Sequence, residues 1–375
     1  MIYLDSAATT LQKPPSVSRA VSMAVRTLAS PGRGGHRAAM RAADVAYACR
    51  TEAAALFHVP HPEQVVFTFN ATHGLNIAIA TLVHPGSRVI ISGYEHNAVT
   101  RPLNGIPGIT IAVARAPLFD RKAAVHAFQK ELEQGADVVI CTHVSNVFGF
   151  VLPIEEIAAL CRQNKVPLIV DASQSAGCIP LDFAALGAEF AAFPGHKGLY
   201  GPQGTGLLLC KNGGEAVLKG GTGSESLRQE MPEFLPDRLE AGTHNMVGIA
   251  GLLEGIRYVR RRGVRTIGAR ECSMVRTAAA GLSALPGVEV YNGNDPASQS
   301  GVVSFRVKNM DCETLGEALG DRGFALRAGL HCAPLAHETA GTLDSGTVRL
   351  SVSDFNTEGE IYQFLTVMER ITGSI

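Results

Sequence analysis

The sequence predicts an α/β protein with two parts, a large domain on a mostly parallel sheet and a smaller α+β domain. Short apolar runs alternate with helix-length segments from residue 16 to about 210. Strands that are separated by helices need crossover connections, which produce a parallel sheet covered on both faces. Residues 213–245 are then rich in Gly, Glu and Pro and lack clear periodicity, so we interpret them as a connector.

Seven apolar runs in the first part have the length of buried strands. They are residues 64–69, 88–92, 109–114, 136–143, 166–171, 189–193 and 206–210. Helical spacing of apolar residues predicts helices between them and before them. These are residues 16–28, 37–57, 72–84, 120–133 and 153–165.

The second part begins with two long helical patterns and continues as a mixture of short strands and helices. The helices are predicted at 246–262, 264–285, 312–321 and 357–372, and the strands near 288–291, 301–307, 324–327 and 347–352. We therefore expect a large domain over 15–245 and a small domain formed by 1–14 and 246–375.

Composition excludes several classes of protein. The 375 residues are 46% hydrophobic and 18% charged, with a net charge of -1, which is typical of a folded globular chain and gives no basic surface for nucleic acid. No apolar run approaches the roughly 20 residues that span a bilayer. The eight cysteines form no CxxC motif and no secretory signal is visible, so we expect no metal site, no membrane segment and a reducing, cytoplasmic compartment.

Two ionisable residues follow predicted strands, where ligands bind in open parallel sheets. Asp171 ends one strand, and Lys197 lies between the next strand and a glycine-rich turn over 198–206. Taken alone, Asp171 is better explained as a turn residue, whereas an exposed loop lysine is the less favoured alternative for Lys197. Together they indicate pyridoxal phosphate, which needs a lysine amine and a carboxylate beside its pyridine nitrogen.

A phosphate anchor and a face for the ring are also found after strands. Residues 72–76 open a helix, so the Thr72 hydroxyl, the neighbouring His73 and the backbone amides are candidates to hold a phosphate. A plain N-cap threonine explains Thr72 equally well. His96 follows another strand and is a candidate to cover the ring.

Several motifs in this order resemble class V, fold-type I pyridoxal-phosphate enzymes, in particular the cysteine desulfurase and selenocysteine lyase family. The resemblance covers nearly the whole chain. It is carried by YLDSAATT at 3–10, EHN at 95–97, HVSN at 143–146, VDASQ at 170–174, FPGHKGLYGP at 193–202, EAGT at 240–243 and RAGLHC at 327–332.

The resemblance implies a role for each cofactor-binding residue. Lys197 is implied to be the Schiff-base lysine and proton carrier, Asp171 the partner of the pyridinium nitrogen, and His96 the ring that stacks on the cofactor. Gln174 is implied to bind the phenolic oxygen. Phosphate contacts are implied for Thr72, His73 and His196, and for Thr243 toward the neighbouring subunit of a homodimer.

The substrate side of the site is implied in the same way. Asn146, Arg327 and Arg349 are expected near the substrate carboxylate, which suits the paired donors of a guanidinium. Cys332 is expected to attack the substrate sulfur as a thiolate, with Arg327 and His331 supplying positive charge. A buried packing role, or a metal site of His331, Cys332 and His337, are the alternatives for this cysteine.

The expected function is a pyridoxal-phosphate cysteine desulfurase that converts L-cysteine to L-alanine, leaving a persulfide on Cys332 for an acceptor protein. Selenocysteine lyase, or an aminotransferase or lyase that does not use Cys332, are the alternatives within the fold. A nucleotide-binding oxidoreductase is disfavoured because the glycine-rich 201–206 segment precedes a strand rather than a helix. Pro194, Gly198 and Leu330 depart from the family pattern and leave the sulfur acceptor open.

Overall fold

The computed structural model describes residues 1–32 and 34–373. Its largest sheet has seven strands in the order β2-β8-β7-β6-β5-β3-β4. The strands are β2 (Val65–Thr68), β3 (Arg88–Ser92), β4 (Thr110–Ala114), β5 (Val138–Thr142), β6 (Leu168–Asp171), β7 (Phe190–Pro194) and β8 (Gly206–Cys210). All neighbours are parallel except β8, which runs antiparallel to both β2 and β7. The predicted mostly parallel sheet is therefore confirmed.

Helices cover both faces of this sheet, because its strands are apolar on both sides and need burial there. On one face a hydrophobic cluster includes Phe57, Phe128 and Phe193. On the other face a second cluster joins alternate strand residues, such as Val89 and Ile91, to the helix residues Leu75 and Val99. The helices of this part are α1 (Pro15–Thr27), α2 (Arg37–Phe57), α3 (Ala71–Leu82), α4 (Asn97–Asn104), α5 (Arg121–Leu132), α6 (Ile154–Asn164) and α7 (Phe183–Leu186).

A second unit with its own hydrophobic cluster forms the C-terminal part. Its antiparallel sheet has the order β12-β13-β10-β9. The strands after residue 245 are β9 (Val288–Tyr291), β10 (Val302–Val307), β11 (Phe324–Ala325), β12 (Arg327–Gly329) and β13 (Thr347–Ser351), of which β11 lies outside this sheet. The helices after residue 245 are α8 (Met246–Arg262), α9 (Val264–Ser283), α10 (Cys312–Gly320), α11 (Pro334–Ala340) and α12 (Glu358–Thr372).

The N-terminal residues join this second unit. Strand β1 (Ile2–Tyr3) pairs in parallel with β11, and Leu4 is buried in the C-terminal cluster. Helix α8 instead packs on α1 and α2, and its Leu252 and Ile256 belong to the core of the large sheet. We keep the two-domain division as a proposal; the separate clusters support it, while the packing of α8 places that helix with the larger unit.

Three short helices, α4, α7 and α11, were absent from the prediction. Each has eight residues or fewer, too few turns for an apolar period to be recognised. Along residues 1–32 and 34–373 the structure shows no helix that is both long and apolar enough to cross a membrane.

Candidate active site

A cleft opens at the carboxyl ends of β5, β6 and β7. Asp171 is the last residue of β6, and Lys197 follows β7 by three residues. The parallel pairing of these strands brings their ends to the same edge of the sheet. Residues on the wall of the cleft include Asn70, Thr72, His96, Thr142, Asn146, Asp171, Ser173, Gln174, Pro194, His196 and Lys197.

The amine of Lys197 is held in a partly buried position beside charges of both signs. Its pKa is lowered from 10.5 to about 8, chiefly by burial and in smaller part by the positive charges of Arg349 and Arg327. Asp171 and Asp5 oppose this change. About one tenth of this amine is therefore unprotonated at pH 7, and the unprotonated amine is the form that acts as a nucleophile or a base.

Glycine is required on both sides of the contact that positions Lys197. A Cβ on Gly198 would lie 2.4 Å from the carbonyl oxygen of Ala176, and one on Gly177 would lie 2.2 Å from the carbonyl oxygen of Gly198. Gly177 also has φ +98°, a conformation that other residues rarely adopt. The departure from the family pattern at Gly198 thus allows the chain after Lys197 to lie directly on the turn that follows Asp171.

Asp171 and His96 face the same cleft. The backbone N–H of Ser173 donates to Asp171 Oδ1 at 2.9 Å, which fixes the carboxylate against its own turn. His96 caps α4, and its Nδ1 accepts from the N–H of Ala98 at 3.0 Å. Burial lowers the pKa of His96, so the imidazole is held in its neutral form.

The start of α3 differs from the prediction. The helix begins at Ala71, and its N-cap is Asn70, whose side chain accepts from the N–H of His73 at 2.9 Å. The interpretation of Thr72 as an N-cap is therefore wrong, because Asn70 already satisfies that amide. Thr72 remains on the cleft wall, and the amides of Ala71 and Thr72 precede the first intrahelical hydrogen bond.

His73 and Thr243 lie away from this wall. His73 stacks on Phe69 with ring centroids 4.7 Å apart, and Thr243 is exposed in the connector. The predicted phosphate contacts of these two residues stay predictions. His196 does line the cleft, and its buried Nδ1 has no hydrogen-bond partner within the described chain.

The Cys332 loop is exposed but its backbone is held at two points. Asn146 Nδ2 donates to the carbonyl of His331 at 2.8 Å, and the N–H of Asn97 donates to the carbonyl of Cys332 at 2.8 Å. His331 and Cys332 have φ of 50° and 55°, two successive left-handed residues that are costly without glycine. The hydrogen bonds therefore maintain a conformation that presents Cys332 to solvent.

His331 does not supply the positive charge predicted for it. It is buried, and burial together with the charge of Arg349 holds its pKa well below 6.5. Its ring stacks on that of His337 at 5.8 Å, whose pKa is lowered to about 4 by burial. Both imidazoles are neutral at pH 7 and act in packing. Among the described residues, no three His, Cys, Asp or Glu side chains are grouped as metal ligands.

The two arginines expected near the substrate converge on one carboxylate. Asp5 Oδ1 accepts from Arg349 at 2.7 Å, and Asp5 Oδ2 accepts from Arg327 at 3.2 Å. Arg349 also donates to the carbonyl of Asn146 at 2.9 Å, and its buried Nε has no partner in the described residues. Arg349 is 2% exposed, whereas the Arg327 side chain is half exposed.

The N-terminal segment contributes polar groups that sequence reasoning missed. Gln174 Nε2 donates to the carbonyl of Ala7 at 3.0 Å, and Thr10 Oγ1 donates to the carbonyl of His196 at 3.0 Å. The Lys13 amine lies 2.5 Å from Thr10 Oγ1, and burial lowers its pKa to about 8. The motif at 3–10 was a signal for this segment, but nothing in it indicated contacts with residues 167 and 186 positions later.

Glu95 is a second residue without a predicted role. It is fully buried behind His96, and its Oε1 accepts from Ser92 Oγ at 2.5 Å and from the N–H of Thr142 at 2.7 Å. Burial raises its pKa to about 8. The carboxyl group therefore ties the end of β3 to the end of β5, largely in its neutral form.

The remaining cysteines agree with a packing role. All eight are free, six are buried, Cys272 is partly exposed and Cys332 is exposed. Cys332 is thus the most accessible thiol, and the alternative that it packs in a core is wrong because its loop lies at the surface.

Comparison with known proteins identifies the family of the chain. The sequence profile of the family described as Aminotransferase class-V matches residues 2–364. A probable cysteine desulfurase of Methanothermobacter thermautotrophicus is 33% identical, with 99% of this chain and 95% of that protein aligned.

Solved structures with the same fold carry similar names. A cysteine desulfurase of Thermococcus onnurineus superposes with a TM-score of 0.92 at 30% identity, covering 100% of this chain and 95% of that one. The cysteine desulfurase CsdA of Escherichia coli superposes with a TM-score of 0.86 at 25% identity, with 100% and 95% covered.

Proposed function

The chain belongs to the class-V aminotransferase family, and we propose that it is a pyridoxal-phosphate-dependent cysteine desulfurase. The observation that carries this proposal is the arrangement of Lys197 and Asp171 in one cleft, with the exposed Cys332 on a loop tied to the same cleft by Asn146. The names of the relatives favour cysteine over selenocysteine as the substrate.

The donor set of the cleft fits pyridoxal phosphate. Lys197 offers an amine of lowered pKa for the carbonyl carbon, and Asp171 offers a carboxylate for the pyridine nitrogen. The unpartnered His196 Nδ1, the Thr72 hydroxyl and the first amides of α3 offer donors for a phosphate. When bound, this cofactor supplies an electron sink for negative charge on the substrate carbon.

The chain's own residues then have separate tasks. Arg349 and Asn146 orient the substrate carboxylate, and the Lys197 amine accepts the proton from the substrate α-carbon. When the cofactor is bound, His96 would cover its ring and Gln174 would hold its phenolic oxygen. Because the pKa values of His96 and His331 are lowered and both rings are neutral at pH 7, the guanidinium groups of Arg349 and Arg327 are the permanent cations offered to the substrate carboxylate.

Cys332 takes the sulfur. Its thiolate attacks the substrate sulfur, so that a new S–S bond forms as the substrate Cβ–S bond breaks. The electron pair of the broken bond passes to the carbon fragment, and its protonation gives L-alanine. The overall change is Cys332 thiol plus L-cysteine to Cys332 persulfide plus L-alanine. Because Cys332 is exposed, the terminal sulfur is accessible to an acceptor protein.

We also propose a cytoplasmic homodimer. Free thiols at all eight cysteines agree with a reducing compartment. The exposed position of Thr243 agrees with a contact to a second subunit. Analytical ultracentrifugation of the Thr243→Ala variant beside the wild type would separate a role in phosphate binding from one in dimer formation.

The experiment for the activity is product analysis. Protein loaded with pyridoxal phosphate and given L-cysteine should release L-alanine, and Lys197→Ala should release none. Lys211→Ala, which changes an exposed lysine next to β8, is the matched control and should keep full activity. Release of pyruvate and ammonia instead of alanine would contradict the proposal and indicate an eliminating lyase.

A further inference from the structure

A groove of about 450 Å³ runs between the two units of the fold, apart from the cleft. One wall comes from the large unit and includes the turn at 178–180, and the other comes from α9 and residues 296–301. The groove lies behind the cleft, because Thr142 and Val144 line the cleft whereas His143 between them lines the groove. Successive residues of an extended segment point to opposite sides in this way. A molecule in the groove would therefore contact both units without entering the cleft.

Helix α9 presents one face to the groove. Its lining residues are Arg265, Gly268, Ala269, Cys272 and Arg276. Their positions, three, four, seven and eleven residues after the first, place them on a single stripe of the helix. Small side chains form the middle of the stripe, and the two arginines lie at its ends, about 16 Å apart along the helix axis.

The middle of the groove is apolar and is closed at its base. A Cβ on Gly268 would lie 2.0 Å from the carbonyl oxygen of Cys178, so α9 touches the turn at 178–180 directly. Ile179, Pro180 and Pro296 add apolar surface to the walls. The space between the two arginines therefore suits the apolar or aromatic body of a small molecule.

The groove also carries unpaired positive charge. Within the described residues Arg265 makes no ion pair or side-chain hydrogen bond, and Arg276 makes only a hydrogen bond from Nε to the carbonyl of Cys272 at 3.4 Å. Arg121 is a third cation of the wall and pairs with the half-exposed Glu156 at 3.7 Å. The guanidinium groups at the two ends of the stripe are thus free to bind an anion.

The other polar groups of the wall do not offset this charge. Glu155 is exposed and adds one negative charge, but burial raises the pKa of Glu271 to about 8, so that its carboxyl group is mostly neutral at pH 7. His143 Nδ1 and Ser300 Oγ are buried and have no hydrogen-bond partner in the described chain. Both side chains line the groove, and hydrogen bonds to a ligand there would satisfy them.

We propose that this groove is a second binding site, which takes a small organic acid with an apolar body. The anionic group pairs with Arg265 or Arg276, and the apolar body lies along the small side chains between them. Because both units contribute to the walls, the bound acid links them. This site is separate from the cleft and goes beyond the proposed activity.

The test compares 2-naphthoate with 2-naphthamide, which have nearly the same shape and differ in charge. Their dissociation constants are measured by isothermal titration calorimetry on protein loaded with pyridoxal phosphate, and the visible spectrum is recorded alongside to report on the cleft. In the wild type 2-naphthoate should bind about three- to tenfold more tightly than the amide, the effect of exposed charge pairs. In Arg265→Gln combined with Arg276→Gln this preference should disappear.

Matched variants separate charge from shape. Arg19→Gln combined with Arg26→Gln removes two exposed arginines from α1, and with them the same net charge, and should keep the preference for 2-naphthoate. Ala269→Phe fills the middle of the stripe and should abolish the binding of both probes. Ala280→Phe changes an exposed alanine of the same helix outside the groove and should leave both dissociation constants unchanged.

The proposal is overturned if 2-naphthoate does not bind, if the two probes bind equally to the wild type, or if Ala269→Phe binds them unchanged. A shift of the visible spectrum, which would place the probe in the cleft, overturns it as well. Since Arg265 and Arg276 are exposed, their variants decide the outcome even if Ala269→Phe does not fold. The titration needs no turnover, so a protein that shows the predicted binding but forms no alanine would contradict the desulfurase proposal alone.

Discussion

The substitution Gly198→Ala tests whether the position of Lys197 depends on the contact with the 176–177 turn. The added Cβ would lie 2.4 Å from the Ala176 carbonyl oxygen, whereas ordinary van der Waals contact begins at 3.4 Å. The two backbone segments must therefore separate by about 1 Å. A misplacement of this size costs about 100-fold in rate, which corresponds to about 2.7 kcal/mol of transition-state stabilisation.

The assay is kcat/KM for alanine formation from L-cysteine, measured together with the pyridoxal phosphate content. We expect about a 100-fold loss and a decrease of about 1–3 kcal/mol in the free energy of unfolding from overpacking. Gly320→Ala is the matched control, because a Cβ there meets nothing within 4 Å and alanine favours its helix. Wild-type kcat/KM in Gly198→Ala would refute the positional argument.

The other predictions concern the Cys332 loop, the lysine amine and a buried ion pair. Asn146→Ala, which frees the His331 carbonyl, should slow persulfide formation about tenfold or more and leave the cofactor content unchanged. Equal rates in rapid-quench experiments would contradict the role of the Asn146–His331 hydrogen bond in positioning Cys332. Because the pKa of Lys197 is about 8, the rate at which pyridoxal phosphate attaches to the apoprotein should rise about tenfold for each pH unit up to that pKa and stay constant above it. A rate that does not change with pH in stopped-flow measurements would contradict this. Glu240→Gln leaves Arg50 buried without its carboxylate partner and should cost about 3–5 kcal/mol in urea unfolding; a loss below about 1 kcal/mol would show the pair to be dispensable.

Most of the regular elements could be predicted from the sequence because their patterns are local. The run at 206–210 and the helical pattern at 37–57 coincide with β8 and α2 at both ends. Helix α4 could not be predicted in this way, since its eight residues include Pro102. The helix begins at Asn97, and this start depends on the N-cap His96, which is in place only when the turn between β3 and α4 has folded.

The site was predictable where a residue follows a strand and less so where a contact joins distant segments. Lys197 and Asp171 were found because strand ends meet at one edge of a parallel sheet. Asp5 was not, since the pairing of β1 with β11 and the backbone bridge of Asp5 to Ser351 are what bring it to Arg327 and Arg349. His331 was assigned a charge from its sequence neighbours, but its burial beside Arg349, which the local sequence does not show, removes that charge.

The central claim is that Cys332 receives sulfur from the substrate, and the mass of its peptide tests this most directly. Enzyme loaded with pyridoxal phosphate is given one turnover of L-cysteine, alkylated, digested and analysed by mass spectrometry. We predict one added sulfur atom on the peptide that contains Cys332, and none after Cys332→Ala. Alanine formation with an unmodified Cys332 peptide, or added sulfur on Cys272 instead, would contradict the account.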